Sequence, residues 1–460
     1  MIQRIKGDLL FSVAGARGVV GRSLNVDVVT RLSLAFCSSL PPGSVVVGRD
    51  TRPSGESLKC AVIAAVTATG RECVDLGIAT TPTVEMMVEK HGAAGGIIVT
   101  ASHNGVDWNA LKFLDSRGIF ITKPVSEALF DAYLNERFQF CDARSTGVIS
   151  RYHQSVRDHI EGVLGLGAID VGLIRRRAFR VVVDAINGAG AVIAPDMLRE
   201  LGAKVFAMNC KTDGDFYRDP EPRAENIAEL GERVASEKAD IGFALDPDAD
   251  RLALVDETGT PLSEEYTLAL AVDQILGIEK RGPVVVNMST SALIDWVAAK
   301  HGVEVVRTPV GEAHVVDAMI RENAPVGGEG NGGVIYPALH LGRDGLVGMA
   351  LILQLLAAGK TTLGQVIGRY PAFHMSKTKM QWEGEFSVER ISGLIRSLEP
   401  ARIDTQDGVK AVFDDGWFHV RVSNTEGLVR VMAESMSPAR TASLVEAARG
   451  VLAESRGPSA

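Results

Sequence analysis

Four short stretches hold residues that can do chemistry. DPDADR, Asp246–Arg251, places carboxylates at i, i+2 and i+4. Three acids so close repel one another unless a cation neutralises them, and oxygen donors suit a hard divalent ion such as Mg²⁺. Asp246, Asp248 and Asp250 also match the first three ligand positions of an EF-hand, with Glu257 at the twelfth. The sixth position, which needs glycine, is Arg251, and strand-like IGFAL and LALV flank the loop, so an EF-hand is rejected. TASHNG, Thr100–Gly105, puts Ser102 after a buried strand, with His103 and Asn104 following. A serine fixed there can carry phosphate; a serine in that position is also a common helix N-cap. GEGNGG, Gly328–Gly333, surrounds Glu329 with residues that let a ligand approach the backbone, though glycine-rich turns are widespread. RVSNTEG, Arg421–Gly427, clusters Arg421, Ser423, Asn424 and Thr425, with Arg430 soon after. Those donors suit a phosphate, and a plain surface turn would look the same.

The elements that position these loops repeat. SVVVGRD, a helix over Glu56–Thr69, CVDLG, the helix TPTVEMMVEKHGA and GGIIVT lead into TASHNG. RVVVDAINGAG, VIAPDMLRELG, AKVFAMN, ENIAELGERVASEKA and DIGFAL lead into DPDADR. PVVVNMSTS, a helix stopping at Gly302, VEVVRTPVG, EAHVVDAMIREN and PVGG lead into the third loop. Strand–helix–strand–helix–strand is the parallel α/β pattern, and ligands bind beyond the carboxyl ends of such strands. A spacing of roughly 100 to 135 residues exceeds that of solenoid repeats. The fold expected is α/β, with three similar mixed α/β domains followed by a smaller α+β C-terminal domain. The boundaries expected are 1–153 (carrying TASHNG), 154–255 (DPDADR), 256–369 (GEGNGG) and 370–460 (RVSNTEG). The apolar run Leu346–Ala358 reads as a buried helix, and GVKAVF, GWFHVRVS, GLVRVMAES and a helix near Thr441–Ser455 make up the last domain.

Composition bounds the function. The 460 residues are 46% hydrophobic and 23% charged, a soluble globular profile, and the net charge of -9 argues against a nucleic-acid partner. Cys37, Cys60, Cys73, Cys141 and Cys210 form no CxxC pair and read as free thiols of a reducing cytoplasm. No signal peptide is read at the N-terminus, and no run reaches the ~18 apolar residues of a membrane span. Cytoplasmic localisation is expected, with no membrane partner.

GARG (15–18), GRDTRPSG (48–55), TASHNG, DAINGAG (184–190), DPDADR, GEGNGG and RVSNTEG, in this order, resemble the α-D-phosphohexomutase family over almost the whole chain. The family includes phosphoglucomutases, phosphomannomutases and phosphoglucosamine mutases. The resemblance implies a phosphoserine at Ser102 and Mg²⁺ held by Asp246, Asp248, Asp250 and an oxygen on Ser102. It implies Arg17, Lys112 and Arg251 beside the reacting phosphate, with His103 among the catalytic residues. Glu329, Asn331, Thr308, Gly311, Asn104 and Asn109 would bind the sugar. Arg421, Ser423, Asn424, Thr425 and Arg430 would hold the phosphate not being transferred. The partner implied is a small phosphosugar, turned over through a hexose 1,6-bisphosphate, with the oligomeric state left open. GEGNGG followed by VIYPALHLGRDG looks most like archaeal-type phosphoglucosamine and broad-specificity mutases. The chain departs from the common pattern at FSVAGARG, Pro247, Val422, Gly427 and Gly333, where many members carry histidine. That last departure shifts proton transfer toward Lys112 or His103. A hinge near Tyr370 would close the last domain over the substrate. Glucosamine phosphate is the expected substrate, glucose or mannose phosphate the alternative; the rivals are a phosphatase and a silent sugar-phosphate-binding protein.

Overall fold

The structure is a computed structural model that describes residues 3–5, 9–12, 15–279, 281–382, 384–422 and 428–456. Its first sheet holds eight strands: β1 (Gln3–Ile5), β2 (Leu9–Ser12), β3 (Gly15–Val19), β4 (Val45–Arg49), β5 (Cys73–Ile78), β6 (Gly95–Val99), β7 (Trp108–Leu114) and β8 (Ile149–Arg151). They are ordered β1-β2-β3-β7-β6-β4-β5-β8. The second sheet comprises β9 (Arg180–Asp184), β10 (Lys204–Met208), β11 (Ile241–Leu245) and β12 (Leu252–Val255), ordered β10-β9-β11-β12. The third comprises β13 (Val284–Asn287), β14 (Val305–Thr308), β15 (Gly327–Glu329) and β16 (Gly333–Ile335), ordered β14-β13-β15-β16.

The three sheets share one plan. The first strand of each triplet lies centrally, with the second and third parallel to it on either side. A fourth strand returns antiparallel to the third. The valine-rich central strands are buried on both faces, as parallel strands under helices must be. The loops TASHNG, DPDADR and GEGNGG all occupy the same place, the link from third to fourth strand.

Each domain supplies helices whose starts the sequence specifies. Thr80 caps the helix Thr81–Lys90 by accepting from the Thr83 N–H, with Pro82 in the first turn. Asp344 caps Gly345–Gly359, accepting from the Leu346 and Val347 N–H groups. That helix is apolar on nearly every face and sits in a core shared by the second and third sheets. Each of its fully buried Leu and Ile side chains contributes roughly 1.5–3 kcal/mol over exposure.

The C-terminal domain is a separate antiparallel sheet with its own core. Its strands are β17 (His374–Gln381), β18 (Arg402–Asp404), β19 (Val409–Phe413), β20 (Gly416–Val422) and β21 (Leu428–Ser435), ordered β17-β21-β20-β19-β18, covered by the helix Pro438–Ser455. Tyr370 is no free pivot: its buried ring lies 5.1 Å from Trp296 and its hydroxyl donates to Asp273 Oδ2 at 2.6 Å. The connection without regular structure is residues 371–373.

Polar contacts dock this sheet on the third domain. Glu434 accepts from the Ala292 N–H at 2.7 Å and from the Ser291 hydroxyl, and Lys410 Nζ donates to the Met288 carbonyl at 2.6 Å. His419 is fully buried there, 2.6 Å from the Asp407 carbonyl through Nε2 and 3.1 Å from Ser289 Oγ through Nδ1. Burial and the nearby Lys410 and Arg421 charges outweigh the Asp407 carbonyl and hold its pKa at about 4. A histidine depressed in the folded state stabilises fully above its unfolded pKa of about 6.5, and that contribution drains away as pH falls toward 4. The loss reaches up to about 3 kcal/mol. Thermal melts from pH 7 to 5 should therefore fall more steeply for the wild type than for His419→Gln, whose amide still donates to Asp407. Parallel curves would contradict this.

Candidate active site

Ser102 sits at the turn after β6 with φ of 47°, a left-handed conformation that costs a non-glycine residue about 1–3 kcal/mol. Arg52 holds it there. Its fully buried guanidinium donates to the carbonyls of Ser102 (2.6 Å), Asn104 (2.7 Å), Gly105 (2.7 Å) and Trp108 (3.0 Å), and pairs with Asp50 at 2.9 Å. Asp50 in turn accepts from Thr100 Oγ1 at 2.6 Å, and Thr100 accepts from the Ser102 N–H at 3.0 Å. The GRDTRPSG segment is thus the frame of the serine loop. The sequence marks the motif without assigning Arg52 a task.

The Ser102 hydroxyl donates to Asp246 Oδ2 at 2.8 Å, across the boundary between the first two domains. Asp246, Asp248 and Asp250 are all fully buried, and each offers one oxygen within 4.8 Å of the others. Burial, then Asp250 and Asp248, raise the Asp246 carboxyl well above the usual range. Burial also opposes ionisation of Asp248, but Lys112 at 2.7 Å and Thr81 at 2.6 Å outweigh it and push its pKa down. Asp248 Oδ1 and Asp250 Oδ1 are buried without a hydrogen-bond partner. Clustered carboxylates with orphaned oxygens facing a serine hydroxyl fit a hard divalent cation. DAINGAG braces this loop: the Ala189 N–H donates to the Pro247 carbonyl at 2.7 Å, and Thr51 Oγ1 donates to the Asn187 carbonyl at 2.7 Å.

Around Ser102 the cleft is cationic. Arg17, on β3, donates to Asn104 Oδ1 at 2.5 Å; burial and then Arg251 lower its pKa to about 10. Burial opposes the Lys112 charge, yet Asp248 and Asp250 hold its pKa above the ordinary lysine value. Arg251 reaches Glu221 at 3.2 Å and Asp250 at 3.7 Å. His103 Nδ1 lies 3.4 Å from Ser102 Oγ, and desolvation, then Arg251, Arg17, Arg430 and Arg343, hold its pKa well below the usual value.

Glu329 accepts from the Asn287 amide (2.8 Å) and the Gly311 N–H (3.0 Å), and pairs with Arg343 at 2.6 Å. Burial opposes its charge, but Arg343 and these donors keep its pKa low. Arg343 was not singled out from sequence. Its guanidinium also pairs with Asp250 at 2.6 Å and Glu312 at 3.0 Å, bridging the metal and sugar loops. A Cβ at Gly333 would lie 2.3 Å from Arg343 Cδ, so this arginine occupies the space of a side chain at 333.

On the far wall, Lys379 lies opposite Arg430 across β17 and β21, and Arg430 opposite Arg421 across β21 and β20. Asp407 at 3.2 Å is Arg421's carboxylate partner. Three cationic side chains thus stand side by side on this wall of the cleft. Ser423, Asn424 and Thr425 lie outside the described residues.

Ser102, His103, Asn104, Arg17, Lys112, Arg251, Glu329, Asn331, Gly311, Arg421 and Arg430 line one cleft of about 1030 Å³, with the aspartates beneath Ser102. Two expected residues are not brought to it. Asn109 is fully buried, donating to Ser54 Oγ at 2.9 Å and accepting from the Ala110 N–H at 2.8 Å. Thr308 is buried at the end of β14 with its hydroxyl turned to the Pro309 carbonyl at 3.0 Å.

Comparison with known proteins matches these domains in order. Residues 8–140, 157–259 and 263–373 match the alpha/beta/alpha domains I, II and III of the phosphoglucomutase/phosphomannomutase family, and 381–451 its C-terminal domain. The chain belongs to the phosphohexomutase family. It is an enzyme of that family, as its relatives are. A phosphoglucomutase/phosphomannomutase of Thermococcus kodakarensis is 36% identical over 445 residues, 95% of this chain and 97% of the relative. A probable phosphoglucosamine mutase of Methanopyrus kandleri is 35% identical, covering 94% and 95%. The crystal structure of a phosphoglucomutase/phosphomannomutase family protein from Burkholderia thailandensis superposes with a TM-score of 0.85 at 26% identity, covering 97% of each chain. Among the described residues no helix is long and apolar enough to cross a membrane.

Proposed function

We propose that this phosphohexomutase interconverts hexose 6-phosphate and hexose 1-phosphate in the cytoplasm, with Ser102 as the phosphate carrier. The observation that carries the reading is the Ser102 hydroxyl poised on the aspartate triplet, in the same cleft as the Lys379–Arg430–Arg421 row. One phosphate of the sugar would lie at each. We assign the serine, metal, sugar and phosphate loops to units 1–153, 154–255, 256–369 and 370–460.

In the first half-reaction a sugar hydroxyl oxygen attacks the phosphorus on Ser102. The P–O bond to Oγ breaks, and the hydroxyl proton, taken up by His103, is returned to Oγ as the serine leaves. Arg17, Lys112 and Arg251 stabilise charge on the transferring group. Asp246, Asp248 and Asp250 would hold Mg²⁺, which when bound supplies Lewis-acid charge at the serine oxygen. Glu329 and Asn331 orient the ring, with the Gly311 N–H holding Glu329 in place, and Arg421 and Arg430, with Ser423, Asn424 and Thr425, hold the other phosphate. The hexose 1,6-bisphosphate turns over in the cleft, and its second phosphate moves to Ser102.

The ring would meet a wall of acidic side chains. Glu264, Glu265, Glu312 and Glu329 line that part of the cleft against Arg343 and Lys377; burial raises the pKa of Glu265 and Glu312, while Glu329 is held ionised, chiefly by Arg343. A substrate ammonium gains more from such a wall than a hydroxyl does, so glucosamine phosphate is the proposed substrate. Mutase turnover and phosphate release should be assayed side by side on glucosamine, glucose, mannose and N-acetylglucosamine phosphates. Isomerisation should dominate over release. A preference for glucose or mannose phosphate above about tenfold, ~1.4 kcal/mol in transition-state binding, would overturn the sugar assignment. Inorganic phosphate as main product would overturn the mutase.

A further inference from the structure

We propose that Lys377 is a positioning residue that sets the register between the phosphate-holding row of the C-terminal sheet and the sugar loop; the inference rests on the mutase reading above. Lys377 and Lys379 lie two apart on β17, so their side chains share a face, and both line the cleft. Lys379 belongs to the cationic row. Lys377 leaves its own domain: its ammonium donates to Glu264 Oε1 at 2.7 Å, Glu265 Oε1 at 2.9 Å and the Gly330 carbonyl at 3.1 Å. Those three acceptors use all three of its donors.

The acceptors are themselves fixed. Glu264 and Glu265 are buried at the start of the helix Glu265–Leu276, and Glu265 also accepts from the Ser291 N–H at 3.0 Å. A Cβ at Gly330 would lie 2.1 Å from a Glu265 oxygen, so carboxylate and sugar loop are in direct contact. Gly330 is the neighbour of Glu329. One short strand segment, with Lys377 and Lys379 about 7 Å apart along β17, therefore ties the cationic row at Lys379 to the ring contact at Glu329. The docking contacts at Glu434, Lys410 and His419 hold the sheet to the third domain but end on other segments; Lys377 is bonded to the sugar loop itself.

A bisphosphate intermediate must turn over without escaping, so the register matters most while it is in the cleft. Lys377→Met, in full-length protein with Mg²⁺, sugar phosphate and added hexose 1,6-bisphosphate, should raise KM and the concentration of added bisphosphate needed for half-maximal turnover, each about tenfold. More bisphosphate should appear free in solution per turnover. Lys377→Arg should restore most of the loss, and Glu264→Gln should give a smaller defect of the same kind, which keeps the test open if Lys377→Met folds poorly. A bisphosphate requirement and KM within twofold of wild type, or a lowered melting temperature with unchanged bisphosphate escape, would overturn the positioning role. A wild type that turns over no sugar phosphate would instead overturn the mutase reading.

Discussion

Ser102→Ala should lower mutase turnover by about 10⁴-fold or more while leaving the fold intact. The loop's shape does not depend on the hydroxyl. Arg52 holds four backbone carbonyls of the segment, and Thr100 holds the Ser102 N–H. Alanine meets the same positive φ that serine already tolerates. What disappears is the oxygen that would carry phosphate above the aspartates. Intact-mass measurement of purified wild type should find a fraction one phosphate heavier, absent from the variant. A variant turning over near the wild-type rate would remove Ser102 from the mechanism.

Removing the metal site should cost about 10³-fold, the several kcal/mol a divalent ion supplies to charge development. Asp248 is the wrong residue to test. Its loss would leave Lys112, a buried ammonium, with only the longer 3.8 Å contact to Asp250, and breaking a buried ion pair costs about 3–5 kcal/mol in stability by itself. Asp250→Asn is cleaner, because Arg343 keeps Glu329 and Glu312 as partners. Calorimetric titration with Mg²⁺ should lose its binding heat in this variant. Its melting temperature in chelator should match or exceed the wild type's, since one of three repelling carboxylates is gone. Turnover that survives both chelation and Asp250→Asn would refute a metal held here.

The loops were legible because their residue types are costly. Three aspartates in five positions and a serine closing a buried strand have few structural uses. Valine runs such as those of β4, β9 and β13 announce central strands for a similar reason. The antiparallel returns β7, β12 and β16 were harder, since a short apolar strand reads alike in either direction. β17 reads HMSKTKMQ, polar at all but its two methionines like a solvated edge, which hides Lys377 among surface lysines. Arg343 sits in a glycine-flanked turn, where an arginine usually means solvent; only the third dimension brings it to Asp250 and Glu329. Asn109 and Thr308 were placed by motif alone, and motifs do not report which way a side chain turns.

The contact between Gly333 and Arg343 also constrains what the site can be rebuilt into. With Arg343 Cδ 2.3 Å from where a Cβ would stand, any side chain added at 333 has to push the arginine aside. A histidine grafted at 333 onto this background collides before it can exchange a proton, and overpacking of this kind costs about 1–3 kcal/mol. The pair is coupled: a designer who adds a side chain at 333 has to change the residue at 343 in the same step.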